Sequence, residues 1–189
     1  MPHKQPTETR QTALVAAALA LAAERSPASV TTADLAKAVG LTQGAVFRHF
    51  ESKEAIWLAV IDFAHQDLLA RLHTAATAQT LPLAALRGVF MAHVDFVVEQ
   101  PGVPRVIFQE LQHPEDTPLK ARVRGLMQAY RALLAGLLER AQTAEQLAPD
   151  TDLKAAAVLF IGSVQGLVMQ SLLSGQVGAM RQLAPAVFE

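Results

Sequence analysis

Residues 31–53 read TTADLAKAVGLTQGAVFRHFESK, two short amphipathic patterns hinged at a single glycine. Leu35, Ala36 and Val39 give the first pattern an apolar face, and the small Ala36 permits close helix packing. Gly40 can take the left-handed conformation that turns the chain, and Leu41 plugs the space beneath the turn. Val46, Phe47 and Phe50 then serve as apolar anchors for the second pattern, leaving Gln43, Gly44, Ala45, Arg48 and His49 outward. This spacing predicts a helix-turn-helix, whose second helix can lie in a major groove of double-stranded DNA.

The rest of the chain is expected to be helical too. Ala and Leu dominate, half the residues are apolar and only 5% are aromatic, so strand-forming types are sparse. Breakers and caps place helices at about Thr7–Arg25, after a Thr32 cap to Gly40, and from Thr42 to about Phe50. Further helices are expected from Lys53 (capped by Ser52) to about Ala76, Pro82 to Gln100, Pro104 to Gln112, Pro118 to Glu145 and Asp152 to Ser174. A short final helix follows Gly175 and Gly178. With no linker in sight, the unbroken fourth helix should join the N-terminal part rigidly to the remainder.

Charge supports a division of labour. The net charge is −1, but residues 1–53 carry +2 and residues 54–189 carry −3, which suits a protein touching phosphate at one end only. The absence of cysteine excludes disulfides, thiolate nucleophiles and cysteine-based metal sites, and agrees with a reducing cytoplasm. Lys4, Arg10 and the apolar run Ala13–Ala23 share features with a secretory leader. Glu8 and Gln11-Thr12 count against export, and an amphipathic first helix is the reading adopted. The most apolar stretch, Ala155 to Leu173, contains Gly162, Ser163, Gln165, Gly166, Gln170 and Ser171, so it reads as a buried helix, with no membrane partner.

Gly40, Phe47, His49, Phe50 and Lys53, with Thr32 and Ala36 upstream, resemble the DNA-binding signature of TetR-family regulators. In that signature a turn glycine precedes a short recognition helix, an aromatic–x–His–Phe run and a lysine. The resemblance implies an all-α protein of about nine helices. A three-helix DNA-binding head would occupy 1–52, and a ligand-binding and dimerisation bundle 53–189. It implies a homodimeric cytoplasmic repressor, released from a palindromic operator by a small, largely apolar effector. Gln43 is then the best base reader, able to pair bidentately with adenine. Gly44 and Ala45 let the helix approach closely, while Arg48 suits either a guanine edge or a phosphate. Thr32, Thr42, His49 and Lys53 are expected on phosphates, which fix register without reading sequence. The family usually has tyrosine where this chain has Phe47, so one phosphate hydrogen bond is lost there.

In such regulators the effector pocket lies among the fourth to eighth helices. Candidate lining residues are Phe63, Phe90, His93, Val94, Val97, Phe108, Met127, Tyr130 and Phe160, most of which suit a plain core equally well. On the eighth helix Phe160, Val164, Leu167 and Ser171 form a stripe, and Gly162 with Gly166 permits close backbone approach. These six are expected at the dimer interface, with intramolecular core as the alternative. His65, His73, His93 and His113 show no metal-ligand spacing, and no cofactor fingerprint or catalytic motif is present, so neither a cofactor nor enzymatic turnover is expected. An adaptor using the head for protein contacts remains a rival, distinguished by an absence of salt-dependent DNA binding.

Overall fold

The computed structural model describes residues 7–189; residues 1–6, including Lys4, lie outside the described part. Among the described residues there are nine α-helices and no strand. They are α1 (Thr7–Glu24), α2 (Thr32–Ala38), α3 (Gln43–Val46), α4 (Lys53–Thr77), α5 (Pro82–Glu99), α6 (Gly102–Glu110), α7 (Pro118–Thr143), α8 (Leu153–Ser174) and α9 (Met180–Phe188). A 3-10 turn, Pro27–Ser29, joins α1 to α2.

The helix ends follow local chemistry. The Ser52 hydroxyl accepts from the Ala55 amide at 3.0 Å, and Asp152 accepts from the Lys154 and Ala155 amides, so both α4 and α8 begin on a side-chain cap. Pro82 and Pro118 open α5 and α7, where a missing N–H costs nothing. Gly175, at φ 71°, terminates α8 in the left-handed region.

Two compact units result, and α4 and α7 each contribute to both. The first comprises residues up to Ala64 together with Gln100–Val123. Its core takes Leu14, Ala18 and Leu19 from α1, Val30, Leu35 and Val46 from the helix-turn-helix, Ile56, Val60 and Ile61 from α4, and Val103 and Val106 from α6. The start of α6 lies directly on α1. A methyl group at Gly102 would stand 2.3 Å from the Leu19 carbonyl oxygen, so only glycine fits there.

The second unit comprises His65–Glu99 with Arg124–Glu189. Here α5 packs against α8 and α9, and Leu72, Leu86, Leu126, Leu134 and Met180 are buried. Arg71 pairs with Asp67 at 3.1 Å and with Glu99 at 2.6 Å, and Arg181 pairs with Asp95 at 2.6 Å.

α8 departs from the expected buried helix. It is long and apolar enough to cross a membrane by length and composition, but only one side of it faces the protein. Phe160, Ile161, Val164, Leu167 and Val168 are buried, whereas Leu159 and Leu173 are 71% and 75% exposed, with Val158 and Met169 beside them.

Candidate nucleic-acid interface

Thr31, in extended conformation, caps α2: its hydroxyl accepts from the Asp34 amide at 3.1 Å while the Asp34 carboxylate accepts from the Thr31 amide at 2.9 Å. The cap is therefore Thr31 rather than the expected Thr32; the acidic residue three positions after Thr31 was the signal for it. Donation to the Asp34 carboxylate from the Thr31 amide and from the Thr31 hydroxyl at 2.7 Å, with Arg25 at 2.8 Å adding charge, holds that carboxyl down to about 2. α2 ends at Ala38, and two residues later Gly40, at φ 66°, swings the chain so that the Leu41 amide reaches back to the Ala36 carbonyl at 2.8 Å.

α3 is a single turn, shorter than the Thr42–Phe50 helix expected. Its Thr42 cap accepts from the Ala45 amide at 3.3 Å, and residues 47–49 continue as turn. This shortening changes one anchor. Val46 is buried and Phe50 half-buried, but Phe47 stands 47% exposed, next in sequence to exposed Arg48. Gln43 and Gly44 are exposed and Ala45 is half-exposed, and nothing lies within 4 Å of a methyl group placed on Gly44. Among the described residues, the space outside Gly44 is thus open.

The flanking polar groups are held by neighbours. The Gln43 amide donates to the Thr32 hydroxyl at 2.7 Å, which brings together two residues singled out in the sequence. Gln11 of α1 donates to the His49 carbonyl at 2.8 Å and fixes the end of the turn, while His49 Nδ1 is buried without a partner among the described residues. Lys53, in the first turn of α4, donates to the Ala28 carbonyl at 3.3 Å. Ala28 in turn donates its amide to Gln109 of α6 at 2.7 Å, and Ser26 donates to the same oxygen at 3.2 Å. Gln11 and Gln109 escaped the sequence reading because a long-range hydrogen bond leaves no periodic trace.

The expected effector residues divide between the units. Phe63, which is exposed, and Phe108 belong to the first unit; Phe90, His93, Val94, Val97, Met127, Tyr130 and Phe160 belong to the second. There Phe90, Phe160 and Phe188 meet edge to face, with ring centroids 5.3–6.3 Å apart, and Tyr130 contacts both His93 and Phe160. His93 Nδ1 lies 3.1 Å from the Tyr130 hydroxyl. Burial pushes the His93 imidazole down to about 4 and raises the Tyr130 phenol, so both are neutral at pH 7. Of the six residues expected at an interface, Gly162 and Gly166 are exposed, and Phe160, Val164, Leu167 and Ser171 are turned into their own protomer.

A capped helix, a left-handed glycine turn and an exposed one-turn helix bearing Gln43 define the class: a helix-turn-helix DNA-binding protein carrying a large helical second part. The family model for bacterial regulatory proteins of the tetR family matches residues 14–60, and that for the tetracyclin repressor-like C-terminal domain matches residues 109–187. The chain belongs to the TetR family of DNA-binding transcriptional regulators, and not to an enzyme family. Among its relatives is the nucleoid occlusion factor SlmA of Actinobacillus pleuropneumoniae serotype 5b (strain L20), 29% identical over 145 residues, covering 77% of this chain and 72% of that protein. The fold is similar to that of the transcriptional regulator FadR from Bacillus subtilis, solved in complex with stearoyl-CoA. That match has a TM-score of 0.81 at 18% identity and covers 94% of this chain and 95% of FadR. The TetR-family regulator PfmR from Thermus thermophilus matches with a TM-score of 0.76 at 20% identity, over 93% and 94% of the two chains.

Proposed function

We propose that this protein is a homodimeric cytoplasmic repressor that reads an inverted-repeat operator with residues 1–52 and binds an effector within residues 53–189. The observation that carries this reading is the exposure of Gln43 and Gly44, with Ala45 half-exposed, on α3. Gln43 exchanges its bond to Thr32 for an adenine edge, Ala45 meets a thymine methyl, and Arg48 reaches a guanine or a phosphate. Thr32, Thr42, His49 and Lys53 hold phosphates, and Phe47 lies against the backbone. Selection of bound sequences from a random DNA pool at two salt concentrations tests this. An enriched inverted repeat is expected; random recovered DNA, lost at moderate salt, would refute specific readout.

A single one-turn helix covers few base pairs, so two copies are needed for useful specificity. A second copy of this chain covers the exposed apolar side of α8, with Gly162 and Gly166 allowing backbone approach and Val158, Leu159, Met169 and Leu173 supplying area. Leu183 and Val187 of α9, which packs against α8, are exposed as well. An apolar face of this kind, self-complementary about a two-fold axis, supports a dimer. Leu159→Arg is expected to sediment as monomer and to lose the operator; a dimeric Leu159→Arg protein would reject this face.

The effector is a small, largely apolar molecule with one or two uncharged polar groups. His93 and Tyr130 support that class, since both are neutral and set among aromatic rings. Effector and operator binding are reciprocally coupled through α4. A dimer that holds operator equally tightly with and without effector would exclude the coupling.

A further inference from the structure

The first unit contains an open cavity of about 310 Å³, within the size range of small-molecule sites, whose lining shares only Lys53 with the DNA-binding reading and nothing with the effector reading. Pro27, Trp57 and Leu119 form its apolar lining, and Lys53, Gln109 and Glu110 its main polar groups. Glu110 decides the chemistry. It is 9% exposed, and among the described residues its carboxylate is served only by the Thr117 hydroxyl, a neutral donor. A buried carboxylate ordinarily finds a cationic partner, because one hydroxyl does not replace the water it has lost. Of the basic side chains in the lining, Lys53 and His113, Lys53 turns its ammonium to the Ala28 carbonyl instead, and Glu54 adds a second carboxylate to the lining. Trp57 supplies an aromatic ring of the kind that attracts a desolvated cation.

We propose that this cavity is a second ligand site, taking a small organic ammonium ion between the Glu110 carboxylate and the Trp57 indole. Its neighbours give occupancy a consequence. Gln109 lines the cavity and holds Ala28, and Ala28 holds Lys53, so a guest that competes for the Gln109 carboxamide loosens the segment that positions Lys53. This consequence rests on the reading of Lys53 as a phosphate contact; the site itself does not.

Trp57 is the chain's single tryptophan, so its fluorescence reports the cavity directly in the intact protein. Benzylammonium, benzyl alcohol and benzoate share one ring and differ in charge. Benzylammonium is expected to give a saturable change in Trp57 emission at concentrations about tenfold or more below the other two. Glu110→Gln is expected to remove that preference while circular dichroism remains helical. The comparison of the three probes on the unaltered protein decides the matter even if that variant unfolds. Equal responses, a preference for benzoate, or no saturable response overturns the site. Operator titration with benzylammonium at saturation then tests the coupling: weakened binding supports it, and unchanged binding overturns the coupling alone.

Discussion

The recognition segment and the aromatic core of the second unit handle polar groups in opposite ways. Around α3 the polar side chains sit at the surface in short, local bonds such as Gln43 to Thr32 and Lys53 to Ala28. Water or phosphate can replace each of these bonds at little cost, so the groups are free to change partners. In the second unit the His93–Tyr130 pair is sealed among rings, and neither group can be left without its partner cheaply. Substitutions should therefore change function without stability in the first region, and stability first in the second.

The largest effect tests the core. Tyr130→Ala is expected to lower the unfolding free energy by about 3–5 kcal/mol in urea, because a fully buried ring and a hydrogen bond are lost together. A loss below about 1 kcal/mol would mean that this core collapses around the gap and is not close-packed. Next comes pH. Unfolded His93 titrates near 6.5 and folded His93 at about 4, so between these values the unfolded chain carries the extra proton. Its contribution to stability is complete above about 6.5 and declines as the pH falls toward 4. The expected loss is about 2 kcal/mol between pH 7 and pH 5. Asp34, held down to about 2, stays ionised across this window. His93→Gln should remove that part of the slope, and an unchanged slope would assign it to other groups.

The same contrast explains what could be read in the sequence. The helix-turn-helix was legible because caps and a left-handed glycine obey local rules, and Gly40, Thr42 and Ser52 act as those rules require. The extent of α3 was not legible. One helical turn is too short to display a 3.6-residue period, so Phe47 looked like a third anchor beside Val46 and Phe50. α8 failed for the opposite reason. Its stripe of Phe160, Val164, Leu167 and Ser171 was visible, but apolar residues also lie outside that stripe, and only the positions of α5 and α9 decide that the stripe is core and leave Leu159 and Leu173 outside. The effector candidates suffer likewise, since core and pocket call for the same residues at the same spacing.

A smaller effect sharpens the comparison on the recognition side. Gln43→Ala is expected to cost about 1–3 kcal/mol at one base pair of each half-site, measured by operator titration against single-base variants. Its thermal midpoint should match that of the parent protein, because Gln43 is exposed. Lys53→Ala should weaken binding to all sequences alike and reduce the salt slope by roughly one ion per head. If Gln43→Ala weakened operator and random DNA equally, Gln43 would join Lys53 as a phosphate contact.

The smallest effect is a gain, and it turns on the exposure of Phe47. A buried ring would resist an added hydroxyl, since the new polar group would lack a partner. Phe47 is instead half in solvent, one residue before Arg48, at the position where the resemblance places a tyrosine that reaches phosphate. Phe47→Tyr is therefore expected to leave the thermal midpoint unchanged and to tighten binding to every DNA sequence by about 0.5–1.5 kcal/mol, without altering the preferred operator. Lower thermal stability would return Phe47 to the role of an anchor. A shift in the preferred base at one position would show that this ring lies over a base edge, and the boundary between phosphate contact and base readout in this segment would move to include it.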